Sequence, residues 1–271
     1  MLEAGTILQD RYRVISQLGQ GGMGAVYYAW DMRLSVPVAL KEMLAQADLA
    51  VEVLGDLREQ FQQEARVLAR LSHPNLVAVT DFFEEATNAY LVMKYVEGES
   101  LADRIRRVGA IPEDQVLEVA RQLLDALAYC HGEGVIHRDV KPANIIIRSD
   151  GQMVLVDFGL VKLWDPYDPK TQTAIRGVGT PQYAPPEQYE TAVGHTDPRS
   201  DLYSVGATLY YALSGKVPPT ATLRIASPET FEPLRDVAPD VSDRTASAVE
   251  RAVELARADR WEDTPSMAKA L

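Results

Sequence analysis

The sequence has little of what stabilises or targets several classes of protein. Cys130 is the only cysteine among 271 residues, so neither an intramolecular disulfide nor a cysteine pair for a metal site can form, which predicts a reducing compartment. No run of about eighteen apolar residues occurs, and the first residues lack a basic segment followed by an apolar one. We therefore expect no membrane-spanning segment in this chain and no signal peptide. Basic residues number 27 against 39 acidic ones, a net charge of −12, which predicts no nucleic-acid partner.

Hydrophobic residues, by contrast, are plentiful. They make up 46% of the chain, enough for a sizeable core, which excludes a disordered or low-complexity protein. No repeat or linker divides the chain, but its character changes along its length. Short strands rich in Tyr, Val and Phe dominate residues 1–96, interrupted by one predicted helix over Leu57–Leu71, whereas helical periodicity dominates residues 101–271. We therefore expect an α+β protein with a small β-rich lobe, a hinge over residues 97–100 and a larger, mainly helical lobe.

The alternation of apolar and polar residues and the turn residues between runs set the predicted element bounds. The predicted strands are Tyr12–Leu18, Ala25–Trp30, Pro37–Glu42, Val77–Phe83, Ala89–Tyr95, Ile145–Arg148 and Met153–Val156. The predicted helices after the hinge are one opened by Pro112 and ended by Gly132 and Gly134, then Ser200–Leu213 and Ser242–Ala256. Between Gly215 and Val241 the proline-rich sequence leaves room for only a short helix.

A glycine-rich segment follows the first of these strands. Gly19, Gly21 and Gly24 fall in a GxGxxG pattern, which alone is weak evidence because glycines often serve only a turn. A dinucleotide-binding fold needs a helix directly after the glycines, whereas Ala25–Trp30 has the composition of a strand. A strand–turn–strand unit instead predicts a flap whose backbone amides can close over phosphates.

Lys41 ends an apolar strand, where an isolated lysine is usually solvated. The predicted helix Leu57–Leu71 changes that expectation, because Glu64 lies on its apolar stripe between Phe61 and Leu68. A carboxylate on a buried helix face is costly unless it is paired, and Lys41 is the nearest cation that the strand order suggests. The alternative is that Glu64 reaches the solvent at the edge of the stripe.

A second polar cluster follows the helix that Gly132 and Gly134 end. Asp139, Lys141 and Asn144 lie within six residues in a loop between rigid elements, so they can converge on one phosphoryl group. Asp139 could accept a proton, Lys141 could neutralise a phosphate oxygen and Asn144 could bind a metal ion. Asp157 leaves a strand just before a glycine, a position suited to a hard cation such as Mg²⁺, although most such aspartates only form turns.

Together these motifs resemble the eukaryotic-like protein kinase superfamily, and most closely its bacterial Ser/Thr branch, from about Tyr12 to Leu271. The resemblance implies one bilobal protein-kinase domain over residues 1–271. It also implies ATP as phosphoryl donor, Mg²⁺ or Mn²⁺ as the metal ion, and protein substrates with Ser or Thr acceptors. The residues that it assigns to ATP binding are Leu18, Gly19, Gly21, Gly24, Val26, Ala39, Lys41, Met93, Lys94, Val96 and Ile146.

The same resemblance implies the catalytic roles. Asp139 becomes the base for the substrate hydroxyl, with Lys141 beside the γ-phosphate and Lys41 held by Glu64, while Asn144 and Asp157 hold the metal ion. Further along, Thr180 and Glu187 resemble the end of an activation segment that starts at Asp157. In the family this glutamate pairs with an arginine, here Arg260, and Asp201 supports the catalytic loop from beneath.

Regulation and context are also expectations of the resemblance. Arg138 needs a charge partner, which a phosphate on Thr171 or Thr173 would supply, although both threonines can equally be ordinary loop residues. Phosphorylation between copies would bring two chains together as a homodimer. We expect a cytoplasmic domain, and the resemblance implies that it is cut from a longer, membrane-anchored protein. Of the histidines, His73, His131 and His195 show no metal-ligand spacing and are expected in loops or caps.

Two other functions compete with an active kinase. A pseudokinase that binds nucleotide as a scaffold would need fewer of these residues, whereas Lys41, Asp139, Asn144 and Asp157 are all present. A small-molecule phosphotransferase of related fold would lack the segment from Thr180 to Glu187 that receives an extended peptide. The sequence therefore favours a Ser/Thr protein kinase.

Overall fold

In the computed structural model, the residues described are 2–21, 24–43, 62, 65–86, 88–157, 162–163, 180–189 and 196–271. The chain divides into two compact units that are not contiguous in sequence. The first contains Met1–Ser72 and Leu76–Glu97, and the second contains His73–Asn75 and Gly98–Leu271. The first is mainly strand and the second mainly helix, so the predicted α+β class is confirmed.

A six-stranded antiparallel sheet forms the first unit, in the order β1-β2-β3-β4-β6-β5. Each strand predicted here from the alternation of apolar and polar residues is present, with its ends shifted by at most three residues. The strands are β1 (Ile7–Leu8), β2 (Tyr12–Gly21), β3 (Gly24–Asp31), β4 (Val36–Met43), β5 (Val79–Glu85) and β6 (Asn88–Lys94).

The two faces of this sheet differ in burial. Along β3, Ala25, Tyr27 and Ala29 are buried, whereas Val26 and Tyr28 on the opposite face are only partly buried. The buried face belongs to a core cluster that also contains residues of β1, β2, β4 and β6. The other face of β3 and β4 is therefore the one open to a ligand.

Glu42 is a buried carboxylate in the first unit that no sequence pattern singles out. It is 1% exposed and accepts hydrogen bonds from the hydroxyls of Tyr27 (2.9 Å) and Tyr90 (3.1 Å) and from the amide of Asn88 (2.9 Å). These donors lie on β3 and β6, the two strands that flank β4. Glu42 therefore links three strands at the residue after Lys41, and because neighbouring residues alternate, it faces away from that lysine.

Helices and two small sheets of short strands make up the described part of the second unit. The helices are α1 (Leu101–Val108), α2 (Glu113–Gly132), α3 (Pro198–Ser214), α4 (Ala221–Ala226), α5 (Leu234–Val237), α6 (Asp243–Ala252) and α7 (Thr264–Ala270). The strands are β7 (Glu99–Ser100), β8 (Val135–Ile136), β9 (Ile145–Ile147), β10 (Met153–Leu155) and β11 (Lys162–Leu163). Strands β10, β9 and β7 form one antiparallel sheet, and β11 pairs with β8. Among the described residues, no helix is long and apolar enough to cross a membrane.

The central helix α3 has clear sequence signals at both ends. Asp197 caps it in a capping box with Ser200, and Pro198 stands in the first turn, where its missing N–H needs no partner. Gly215 ends it in the left-handed conformation with φ of 68°, which a residue without Cβ adopts without strain. Helix α3 is buried along most of its length and carries Asp201 in its first turn.

Several predicted bounds in the second unit were wrong. Between Gly215 and Val241 two short helices, α4 and α5, form where a single one was expected, because the prolines stand at helix starts or between helices. Helix α6 ends at Ala252 rather than Ala256. Helix α1 was not predicted, although Ser100 caps it by accepting from Asp103 N. In the first unit, the structure describes only residues 62 and 65–71 of the helix predicted over Leu57–Leu71. Of these, residues 62 and 65–68 are helical.

Candidate active site

The predicted phosphoryl-transfer loop lies between β8 and β9 in the second unit. Lys141 Nζ donates to Asp139 Oδ2 at 2.7 Å, and the amide nitrogen of Asn144 donates to the same oxygen at 3.0 Å. The Asn144 amide also donates to the Asp139 carbonyl at 2.8 Å. A short 3-10 turn over Pro142–Asn144, with proline at its first position, brings the three side chains together. The loop therefore brings a carboxylate, an ammonium group and an amide into direct contact.

Asp201 holds the backbone of this loop from within the protein. Its side chain is fully buried, and its two oxygens accept from the backbone N–H groups of His137 (2.9 Å) and Arg138 (2.8 Å). Nε2 of His131, in the last turn of α2, lies 2.8 Å from Asp201 Oδ2. Because an ionised carboxylate only accepts, His131 Nε2 carries the proton. The expectation that His131 is merely a loop or capping residue was wrong.

Burial alone would raise the pKa of Asp201, since it disfavours the charged form. The hydrogen bond and charge of His131 and the contacts with His137 outweigh burial, and they hold the pKa of Asp201 below its usual range. The carboxylate that anchors the loop is therefore ionised at neutral pH.

Two residues of the site adopt left-handed backbone conformations that glycine usually takes. Arg138 has φ of 65° and Asp157 has φ of 57°. The surroundings fix both: Arg138 by Asp201, and Asp157 by the Asn144 amide, which donates to the Asp157 carbonyl at 3.2 Å. Backbone strain of this kind clusters at functional sites.

Four of the residues assigned to ATP binding, Val26, Ala39, Lys41 and Met93, lie in two cross-strand pairs of the first unit. Val26 pairs with Lys41 across β3 and β4, and Ala39 pairs with Met93 across β4 and β6, so each pair points to one side. Leu18 lies at a register shift of β2 opposite β3 and is 50% exposed.

The glycine segment continues the same ladder. Gly19 pairs with Val26, and Gly21 pairs with Gly24, whose φ of 146° excludes most side chains. The two strands predicted on either side of the glycines are therefore present and pair antiparallel.

The other residues assigned to ATP binding lie outside this ladder. Lys94 N donates to the carbonyl of Ala78 at 2.9 Å, so this N–H is already used within the first unit. Val96 is partly buried just before the boundary at Glu97. Ile146 is partly buried on β9 in the second unit.

Three of the predicted site residues lie outside the described part of the chain. They are Glu64, expected to pair with Lys41, and Thr171 and Thr173, expected to accept regulatory phosphates. His195, expected in a loop or cap, also lies outside it.

Glu187 and Arg260 form a buried ion pair. Two guanidinium nitrogens donate to the two carboxylate oxygens at 2.6 and 3.0 Å, and the side chains are only 0% and 2% exposed. Ser200 at the start of α3 donates to Glu187 at 2.8 Å. Thr180 is partly buried and its carbonyl accepts from Tyr183 N in a turn at 2.9 Å. The segment that ends at Glu187 is therefore fixed to α3 and to the loop after α6.

Comparison with known proteins agrees with this geometry. The family model described as the protein kinase domain matches residues 12–253. The chain belongs to the protein kinase family. It is 40% identical over 260 residues to the serine/threonine-protein kinase pkn2 of Myxococcus xanthus, covering 92% of this chain and 29% of that protein. It is 38% identical over 254 residues to the serine/threonine-protein kinase PknA of Mycobacterium tuberculosis, covering 91% of this chain and 57% of that protein.

A third relative is the serine/threonine-protein kinase PknB of Mycobacterium leprae, 43% identical over 216 residues, covering 78% of this chain and 33% of that protein. The chain thus spans between about a third and somewhat more than half of the relatives' lengths. Protein kinases use ATP and a divalent metal ion.

The polar groups of this kinase fit a divalent cation of that kind. Asn144 donates from its amide nitrogen to Asp139 and to the Asp157 carbonyl, and its side-chain oxygen and the Asp157 carboxylate are oxygen ligands of the type that hard cations take. Among the described residues, no group of three or more His, Cys, Asp or Glu side chains could hold a metal ion.

The kinase also contains site residues that sequence reasoning missed. The side-chain amide of Gln188 donates to the carbonyl of Arg138 at 2.8 Å, which ties the residue after Glu187 to the catalytic loop. The neighbouring Tyr189 has its pKa raised to about 12, chiefly by burial and further by the negative charge of Asp139. No local pattern signals these contacts, because Gln188 and Arg138 are 50 residues apart in the chain.

Proposed function

We propose that this chain transfers the γ-phosphoryl group of ATP to Ser or Thr hydroxyls of protein substrates. The observation that carries the proposal is the cluster of Asp139, Lys141 and Asn144, joined at 2.7 and 3.0 Å on a backbone that Asp201 anchors. A protein that only binds nucleotide as a scaffold does not need a carboxylate, an ammonium group and an amide in direct contact with one another. The relatives' names, all serine/threonine-protein kinases, support the same reaction.

In the proposed reaction the substrate hydroxyl oxygen forms a bond to the γ-phosphorus. The bond from that phosphorus to the oxygen bridging it to the β-phosphate breaks, and ADP leaves. Asp139 orients the hydroxyl and takes its proton. Lys141 carries the positive charge nearest to Asp139 in the loop, where it can offset charge on the transferred group.

Asn144 and Asp157 are the residues that would hold the metal ion, which we assign as Mg²⁺ with Mn²⁺ as a substitute. When bound, such an ion neutralises charge on the phosphate oxygens. Lys41 would contact the α- and β-phosphates, with Glu64 as its partner, and the glycines at 19, 21 and 24 would cover the phosphates. The open sheet face with Val26 and Ala39 would hold the adenine together with Ile146.

Regulation is part of the proposal. A phosphate on Thr171 or Thr173 would carry about two negative charges and pair with Arg138. For one copy of the chain to phosphorylate another, the two copies would meet as a transient homodimer. Because the reaction consumes ATP, we place this single catalytic domain in the cytoplasm.

The test is incubation of the chain with Mg²⁺ and ATP labelled in the γ-position, followed by analysis of the labelled amino acids and phosphopeptides. We expect labelled serine or threonine without labelled tyrosine, and label on Thr171 or Thr173. Unlabelled chain that still binds ADP would support the pseudokinase instead. If other residues of the chain are labelled and neither threonine is, that result would contradict only the proposed regulation by phosphorylation of Thr171 or Thr173.

A further inference from the structure

Gly98 lies where a side chain cannot fit. A Cβ atom on this residue would stand 2.5 Å from the carbonyl oxygen of Ile147, 2.9 Å from its carbonyl carbon, and 2.7 Å from Cγ2 of Ile146. All three separations are well inside van der Waals contact of about 3.5 Å. The absent side chain is therefore what allows the chain at Gly98 to lie against β9.

Neither side of this contact can move away easily. Gly98 leads directly into β7, which pairs with β9 through Glu99 and Ser100. Ser100 also caps α1 by accepting from Asp103 N at 3.0 Å, and the arginines at 104 and 107 hold Glu99 at 3.2 and 2.8 Å. The segment after Gly98 is thus fixed to the first turns of α1.

Strand β9 is fixed from its other side. It pairs with β10 over its full length, and Ile145 and Ile147 are buried at 0% and 5% exposure. Ile146, between them, points the opposite way and is only partly buried. A side chain at Gly98 would therefore displace both the Ile147 carbonyl and the Ile146 side chain, and of these two groups Ile146 is the one on the partly buried face of β9.

We propose that Gly98 is a positioning residue for the nucleotide site, because its missing side chain sets where Ile146 lies. This inference rests on the proposed function, in which Ile146 contacts the adenine. An alanine at position 98 would push Ile146 out of place and so weaken nucleotide binding without touching Asp139.

The experiment measures the dissociation constant of Mg-ADP by calorimetry, and the KM for ATP, for Gly98→Ala. We expect both to rise about tenfold, since overpacking of this kind is typically worth a factor of that order, with kcat changed much less. Gly206→Ala is the matched control. Its Cβ would stand 2.6 Å from Ala252 Cβ between α3 and α6, so it should lower the melting temperature with ADP affinity unchanged.

An ADP affinity of Gly98→Ala equal to that of the unaltered chain would overturn the inference. A second test compares the ADP affinity of Ile146→Ala with that of the double variant Gly98→Ala/Ile146→Ala. This comparison remains usable if the single Gly98 variant does not fold. Because Ile146→Ala removes Cγ2 and leaves only the overlap with the Ile147 carbonyl, adding Gly98→Ala in that background should weaken ADP binding by less than it does in the unaltered chain. A further tenfold loss in that background would contradict the role of Ile146.

ADP binding does not require turnover. If the unaltered chain fails to transfer phosphate but binds ADP, the proposed function fails while the Gly98 comparison still decides this inference.

Discussion

Asp201 holds the backbone conformation of the catalytic loop, although it lies outside that loop. Its two oxygens accept from consecutive backbone N–H groups, those of His137 and Arg138, and this contact supports the left-handed conformation of Arg138. Asp139 follows immediately, so its orientation depends on this anchor. A carboxylate that never touches substrate thereby positions the proposed base.

The lowered pKa of Asp201 gives a pH-dependent prediction. An aspartate whose pKa is lower in the folded than in the unfolded chain stabilises the fold fully above the ordinary value of about 3.9, and that contribution disappears as the pH falls through the folded value. Asp201→Asn should lower the free energy of unfolding by about 1–3 kcal/mol at pH 7. The difference from the unaltered chain should shrink as the pH approaches about 3.

Urea unfolding of both chains from pH 7 to pH 3 measures this difference. The exposed Asp240→Asn makes the same chemical change at the surface and should show no such trend. A difference between Asp201→Asn and the unaltered chain that stays constant over this range would contradict the role given to the Asp201 charge.

The sequence predicted that three polar side chains of one loop converge, because their spacing is local. Asp139, Lys141 and Asn144 lie within six residues, and the structure brings all three into contact. Gln188 and Glu42 could not be found in this way. Their partners are up to 50 residues away, and nothing in a linear pattern shows which strands or loops will meet.

Among the structural elements, the segment that ends at Glu187 is held in place by the buried ion pair between Glu187 and Arg260. Arg260 donates to Glu187 and also to the carbonyls of Glu254 (2.7 Å) and Leu255 (3.0 Å). Its guanidinium lies 5.0 Å from the ring centre of Tyr203 on α3. One arginine thus joins the end of the predicted activation segment, α3 and the loop after α6.

Removing one partner of this pair leaves an uncompensated buried charge. Arg260→Met should therefore destabilise the fold by about 3–5 kcal/mol. Lys216→Met breaks an exposed pair with Glu232, whose side chains are 54% and 58% exposed, and should change stability by less than about 1 kcal/mol. Thermal and urea unfolding of the two variants provide the comparison.

The double variant Glu187→Met/Arg260→Met removes both charges and should recover part of the lost stability, since no buried charge is left unpaired. An Arg260→Met variant no less stable than Lys216→Met would show that the pair contributes little.

The prediction of elements succeeded where the periodicity was strong. Strand β3 was expected over Ala25–Trp30 and spans Gly24–Asp31, because its alternation of buried and open positions is regular. It failed where short helices depend on tertiary contacts. Helix α4 is only six residues long and is fixed partly by Arg224, which donates to the Val253 carbonyl at 2.6 Å, a contact that the local sequence does not reveal.

For the whole molecule, the net charge of −12 has a specific consequence for the proposed reaction. ATP is polyanionic, so the overall field of the protein opposes its binding. Local cations must reverse that field. Lys41 in the first unit and Lys141 in the second are the residues to which the proposed function assigns this role.

The central claim is that Asp139 is the base of a phosphoryl-transfer site, and one comparison tests it most directly. Phosphate transfer from Mg-ATP and the dissociation constant of Mg-ADP are measured side by side for the unaltered chain and Asp139→Asn. We expect transfer to fall by about 100-fold or more, the usual contribution of a positioned general base, while the ADP dissociation constant changes by less than about threefold. Undiminished transfer by Asp139→Asn would contradict the account.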